Sequence, residues 1–222
     1  MAMKVMRLSV AALAGLLLLQ SIVGATPSSI ILIPSTDTLA RGVAHVDVDT
    51  VFTVGQGAAN ASAVSVGATC GVTDRLEVGF DWLSDTTNPL VGNVKWVPYS
   101  NESVNIALGA WLLGNAGSSG ANQVYALVSC DTHAGRFAVG GAFGSKATLG
   151  TDEDQLWVSY DRALGEKWWA GADYISGDSP LGSLNVGVGY TVSGNTGVIV
   201  GYDAYNASGS RDTVTVQVDI NF

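Results

Sequence analysis

The sequence predicts an all-β protein: a transmembrane, antiparallel, up-and-down β-barrel of twelve strands. Three observations carry that prediction. Apolar residues recur at every second position in one short run after another, which is the pattern of a strand with two unlike faces and not of a helix. The runs number twelve, and most approach the roughly 9–11 residues that a tilted strand uses to cross a bilayer. Beyond residue 25 no apolar stretch reaches the roughly 20 residues of a spanning helix, so any entry into a membrane must be by strands.

Taken in order, the chain opens on MAMKVMRLSVAALAGLLLLQSIVGA, with Lys4 and Arg7 ahead of an apolar core from Leu8 to Leu19 and a small-residue exit at Val23-Gly24-Ala25. Residues 1–25 are thereby expected to be a cleaved signal peptide, with an apolar part too short to anchor in a membrane. No cysteine follows the exit to carry a lipid. Loss of Lys4 and Arg7 takes the net charge from −9 to −11, and an acidic exported chain is a poor partner for nucleic acid. Residues 26–40 read as a lead-in or a plug in the barrel mouth, and 41–222 as the barrel.

Strands are expected at about 41–53, 62–72, 76–84, 92–98, 104–114, 122–131, 136–145, 154–161, 167–176, 183–192, 196–205 and 211–222. In LEVGFDWL, Leu76, Val78, Phe80 and Trp82 share one face while Glu77, Gly79 and Asp81 share the other. SLNVGVGYTV repeats the rule, with Leu184, Val186, Val188, Tyr190 and Val192 opposed to Asn185, Gly187, Gly189 and Thr191. Tight connections at 73–75, 99–103, 132–135, 164–166 and 193–195 alternate with longer ones at 55–61, 85–91, 114–121, 145–153, 177–182 and 206–211. Short turns on one side, longer loops on the other and an even strand count are habits of membrane barrels.

The content of the two faces decides which one meets lipid. The apolar face holds no charge through the middle of any run and carries aromatics near strand ends, at Trp82, Trp96, Trp168, Tyr190, Tyr202 and Phe222. Such rings collect at the two boundaries between water and lipid. The other face mixes Gly, Ser, Thr, Asn and Gln with acids, as a wet lumen would, and lacks the lysines with which soluble sheets guard their edges. Glycines on the inner face let a small barrel close and make room for Trp111, Trp157 and Trp169 where these point inward. Cys70 and Cys130 fall on strands expected to be well apart, which disfavours a disulfide.

The last nine residues are VTVQVDINF, with Val214, Val216, Val218 and Ile220 alternating up to a terminal Phe222. This stretch resembles the C-terminal strand of bacterial outer-membrane β-barrel proteins, the porin-like superfamily. The resemblance implies an outer-membrane location and contact with its lipid. It also makes Val214, Val216, Val218, Ile220 and Phe222 the signal read by the barrel-assembly machinery. The resemblance is not specific for an activity, since the superfamily includes membrane-embedded enzymes; the expected role is passive diffusion of small hydrophilic solutes, with no cofactor. GVTDRLEVGF, 71–80, is similar to the periplasmic hairpins of such barrels. IILIPSTDTLARG, 30–42, is similar to the openings of uncharacterised outer-membrane proteins related to exopolysaccharide export. That second resemblance implies the alternative of a non-conducting structural or interaction barrel.

On the expected lumen face stand His45, Asp47, Asp49, Glu77, Asp81, Lys95, Arg136, Asp161, Asp173, Asp203 and Asp219. Eight acids against two permanent cations predict a preference for cations in an open pore. The loops are short, so inward side chains are expected to set the pore width. HVDVD places His45, Asp47 and Asp49 on one face, but no neighbouring run offers the rest of a metal shell at recognisable spacing. The acids of TDEDQ, 151–155, lack the spacing of a calcium loop. Of the two histidines, His45 has no serine two residues along its strand and His133 falls in a turn, so no catalytic site is expected. GVGVGY and AVGGAFG precede no helix and hold no phosphate.

Overall fold

The computed structural model describes residues 28–55, 60–84, 86, 89–114, 122–150 and 152–222. The expected signal peptide, 1–25, and much of the 55–61 and 114–121 connections lie outside the described residues. Twelve strands follow one another: β1 (Ala44–Thr53), β2 (Asn60–Thr73), β3 (Leu76–Leu83), β4 (Leu90–Ser100), β5 (Val104–Gly114), β6 (Gln123–Thr132), β7 (Gly135–Gly144), β8 (Asp154–Ala163), β9 (Trp168–Ile175), β10 (Ser183–Ser193), β11 (Thr196–Tyr205) and β12 (Thr213–Asn221). A single helical turn, α1 (Lys146–Leu149), sits between β7 and β8. Each strand pairs with its chain neighbours, and β12 returns to β1, closing the barrel.

The strands form where the alternation is cleanest. In β12 Thr213, Thr215, Gln217 and Asp219 are buried in the interior, while Val214, Val216, Val218 and Ile220 lie between them on the outer face. The outer face is apolar all round, from Val66 and Phe80 through Val124, Val139 and Val158 to Val188 and Val200, all exposed. Water would penalise so large an apolar surface, whereas hydrocarbon matches it. Trp82, Trp96, Trp168, Tyr202 and Phe222 are exposed on the same face, and Trp168 packs against Tyr190 at a ring separation of 4.7 Å. Cys70 and Cys130 are both unpaired and exposed.

Local chemistry explains where elements start and bend. β1 begins at Ala44 and not at 41, because the chain turns at Gly42, whose φ of +83° favours glycine. The turn into β5 is tied by Asn101, whose Oδ1 accepts from the amides of Ser103 at 2.9 Å and Val104 at 2.7 Å. β4 runs past the expected end at 98 because its register shifts between Trp96 and Tyr99, accommodating the missing N–H of Pro98. A second irregularity in the same pairing, between Gly92 and Val94, lies beside Leu112, which holds a φ of +54°. That left-handed backbone costs a leucine on the order of 1–2 kcal/mol.

A charge on the outer face is the sharpest check of this arrangement. Val200 lies near the middle of β11, paired with Val188 and Val216. Val200→Arg is expected to destabilise the barrel by about 2–4 kcal/mol in reversible folding into bilayers, while Val200→Leu leaves stability nearly unchanged.

Candidate functional site

The interior is not an empty pore. Residues 28–39 run inside the wall, with Ile30, Ile31, Ile33 and Leu39 buried. The segment folds on itself: the Ile30 amide donates to the Ile33 carbonyl at 2.9 Å, and the Ser35 amide to the Ser28 carbonyl at 2.9 Å. This tight bend leaves three consecutive amides, of Ile31, Leu32 and Ile33, pointing the same way. All three donate to Oδ2 of Asp173, at 2.8, 2.9 and 3.3 Å, while its Oδ1 accepts from Asn185 Nδ2 at 2.6 Å. A buried carboxylate held by several amides is a nest turned inside out, the anion belonging to the barrel and the cradle to the segment. On the far side, Gln217 Nε2 donates to the Ile31 carbonyl at 2.8 Å.

The apolar side chains of the segment fit a patch that glycine makes flat. Gly171, Gly187 and Gly201 stand abreast on β9, β10 and β11. A Cβ on Gly187 would lie 2.6 Å from Ile31 Cδ1, one on Gly201 3.1 Å from Ile31 Cγ2, and one on Gly171 3.1 Å from Ile30 Cγ2. Around this patch Trp157, Trp169, Ile175 and Ile199 complete an apolar core with Tyr125 and Leu127. Trp157 is fully buried, packed edge-on to Trp111 and tilted on Tyr125. Trp157 and Trp169 therefore serve packing on the side of the barrel the segment occupies, while Trp111 packs on Trp157 and also borders the polar side.

Charged residues pin the rest of the segment. Glu77 accepts from Ser28 Oγ at 3.1 Å and from the Leu39 amide at 2.9 Å. Lys95 pairs with Glu77 at 3.0 Å and donates to the Ser28 carbonyl at 3.0 Å. Arg136 grips Asp161 through Nε at 2.8 Å and Nη2 at 3.2 Å, and its Nη1 pairs with Asp37 of the segment. Thr36 and Ser129 share a hydrogen bond of 2.6 Å. Both interior cations are thus consumed by carboxylates.

The opposite side of the interior is polar and roomy. Asp219, Asp47 and Asp81 lie in one row across β12, β1 and β3, with Gly67 of β2 between the last two. Any side chain at Gly67 would strike both the Asp47 and the Asp81 carboxylates, so its lack of one lets them lean together. His45 Nε2 sits 3.3 Å from Asp219 Oδ1 and 3.6 Å from Asp47 Oδ1, and its Nδ1 lies 2.8 Å from Asn221 Oδ1. Asp49 is one step up β1, facing Gln217, and Asn93 donates through Nδ2 to Asp81. These groups bound a cavity of about 300 Å³ whose wall also includes Ile31, Leu32, Trp111, Tyr125 and the Glu77–Lys95 pair.

The structure sorts the eleven lumen residues expected from sequence into two groups. Glu77, Lys95, Arg136, Asp161 and Asp173 hold the inner segment; His45, Asp47, Asp49, Asp81 and Asp219 line the chamber, which the Glu77–Lys95 pair also borders. Asp203 stands apart, accepting from Thr213 Oγ1 at 2.8 Å. Neither histidine contacts a serine among the described residues: His45 is taken up by Asn221 and acids, and His133 is exposed in the β6–β7 turn. Asp152 of the acidic loop is used to accept the Asp178 amide at 2.7 Å. Sequence reasoning missed Asn93, Asn185, Gln217 and the segment's own backbone. The abreast glycines were visible as residues, but only strand register shows that they form one patch.

Two substitutions separate the seat of the segment from the barrel. Asp173→Ala leaves three amides without their acceptor, a loss of roughly 3 kcal/mol, so hydrogen exchange at Ile31–Ile33 is expected to quicken by roughly 100-fold. Gly187→Leu should expel the same residues by occupying the Ile31 site. In both variants the strand amides keep their protection.

No protein-family model matches the chain, and no curated protein matches its sequence. Solved structures do match. The KdgM porin in complex with disordered oligogalacturonate overlays with a TM-score of 0.57 at 13% identity, covering 80% of this chain and 99% of that one. The NanC porin, with a TM-score of 0.49 at 11% identity, covers 80% and 98%. An outer membrane channel from Pseudomonas putida F1, with a TM-score of 0.43 at 11% identity, covers 85% and 98%. The last two overlays are too loose to carry an argument. The first, with the closed twelve-strand sheet and its apolar exterior, shows that this chain has the fold of outer-membrane porins.

Proposed function

We propose that the protein is an outer-membrane channel for passive diffusion of small hydrophilic solutes, with a preference for cations. The observation that carries the reading is the row Asp219, Asp47, Asp81 beside a chamber whose nearest lysine, Lys95, is already neutralised by Glu77. A narrow passage lined with carboxylates that outnumber the cations among them, between low-dielectric walls, raises the local concentration of cations and repels anions. An oligogalacturonate, as held by the KdgM porin, is a string of carboxylates and would meet repulsion here. The fold therefore carries over without that ligand. The reading assigns no catalytic chemistry to the barrel. It takes Val214, Val216, Val218, Ile220 and Phe222 as the signal for the barrel-assembly machinery, and residues 28–39 as a plug that narrows the passage.

Planar-bilayer recording of the refolded chain tests it. Discrete steps are expected, passing potassium over chloride by several-fold at low salt and approaching parity near 1 M, where the screening length is about 3 Å. Asp47→Asn with Asp81→Asn should lower that ratio, and deletion of 28–39 should raise conductance. Absence of steps from both the full chain and the deletion removes the channel reading, while steps from the deletion alone assign a blocked barrel.

A further inference from the structure

We infer that the chamber between the inner segment and strands β1–β6 and β12 is a binding site for a small organic cation, a protonated aliphatic amine with an apolar body. Five carboxylates line this space; Glu77 is paired with Lys95 at 3.0 Å, which leaves Asp47, Asp49, Asp81 and Asp219 with His45 as the one basic side chain among them. Burying a carboxylate is expensive unless it is well paired, and Asp219, only 2% exposed, has His45 beside Oδ1 but no hydrogen-bond partner for Oδ2. Asn93 Oδ1, on the same wall, is also buried without a partner, its Nδ2 being committed to Asp81. Both orphaned atoms are acceptors. Of the donors on the wall, Lys95, Gln217, Ser28 and Asn93 Nδ2 are already committed, and an ammonium group brings three more.

The rest of the wall separates an amine from a bare metal ion. Ile31, Leu32, Val51 and Leu83 offer apolar surface, and Trp111 and Tyr125 offer ring faces that attract a desolvated ammonium. A divalent ion would gain nothing from these, and the described residues hold no cluster of three or more His, Cys, Asp or Glu arranged to ligate one. The volume of about 300 Å³ lies at the lower edge of small-molecule pockets, which limits the ligand to a short chain. Ser28, Ser29 and Pro34 of the inner segment close the chamber on one side, so the site exists only while the segment is seated. The inference deepens the cation-preferring reading and rests on it for the ligand's way in, but binding is measured without any current.

The test is titration calorimetry of the full chain refolded in detergent, with 1,4-diaminobutane and n-butylamine as probes. Butyrate, 1-butanol and calcium chloride, each at matched ionic strength, serve as comparators. Saturable one-to-one binding of the amines, with butyrate and butanol silent, is expected. Asp219→Asn and the Asp47→Asn, Asp81→Asn pair should each weaken it at least tenfold in barrels that retain their strand circular dichroism. Gly67→Leu, which pushes both carboxylates aside, should abolish it. Saturable binding of calcium without binding of the amines overturns the inference, as does equal binding of butanol or no saturable binding by any probe. Amine binding in a barrel that gives no current would sink the channel reading and leave this one standing, and a cation-selective current without amine binding would do the reverse.

Discussion

Nine residue pairs join β1 to β12, from His45–Asn221 to Thr53–Thr213, and because of them the sheet has no edge. In hydrocarbon an unpaired backbone amide or carbonyl costs several kcal/mol, so closure is the condition for the strands to stand in a membrane at all. Closure then divides the side chains between two faces. Every odd position of β12 looks inward and every even one outward, and through the middle of the strands the outward set is apolar. Between the strand ends, polar side chains are thereby forced into one confined interior.

That interior is filled asymmetrically, and the asymmetry follows from side-chain size. Where β9, β10 and β11 present Gly171, Gly187 and Gly201, the wall is thin and a hydrophobic hairpin packs against it. Where β12, β1 and β3 present Asp219, Asp47 and Asp81, nothing packs and a chamber remains. Asp173 joins the halves. Its carboxylate would be as costly as the others if unpaired, but it stands beside the glycine patch, and the inner segment brings three amides to it. The same residue type is a structural anchor on one wall and an open charge on the other, according to whether backbone N–H groups reach it.

How much of this the sequence shows depends on the range of the physics involved. Strand existence is a local property: the alternation in LEVGFDWL predicts 76–84 and β3 spans Leu76–Leu83. Facing is equally local, so Val214 to Ile220 fall outward as expected. The reading of a wet lumen, with pore width set by inward side chains alone, falls short on non-local grounds. Ile30, Ile31 and Ile33 read as a lead-in or a plug, and where they pack is visible only once register sets Gly171, Gly187 and Gly201 abreast to receive Ile30 and Ile31. Likewise Arg136 counts as a lumen charge in the sequence, whereas Asp37 and Asp161 neutralise it in the fold. A tally of lumen charges overstates the field wherever charges are already paired.

The segment and the chamber are therefore one device and not two. Ile31 uses its side chain to fill the glycine patch and its carbonyl to hold Gln217, a residue that also lines the chamber. Leu32, next along, turns its amide to Asp173 and contributes to the chamber wall. A segment seated on one wall thus shapes the space in front of the other, and withdrawing it would free Gln217, uncover Asp173 and remove the apolar side of the chamber together. What the acidic row can hold, and how wide a passage it borders, are both set by the fit of one isoleucine to a glycine on the far wall.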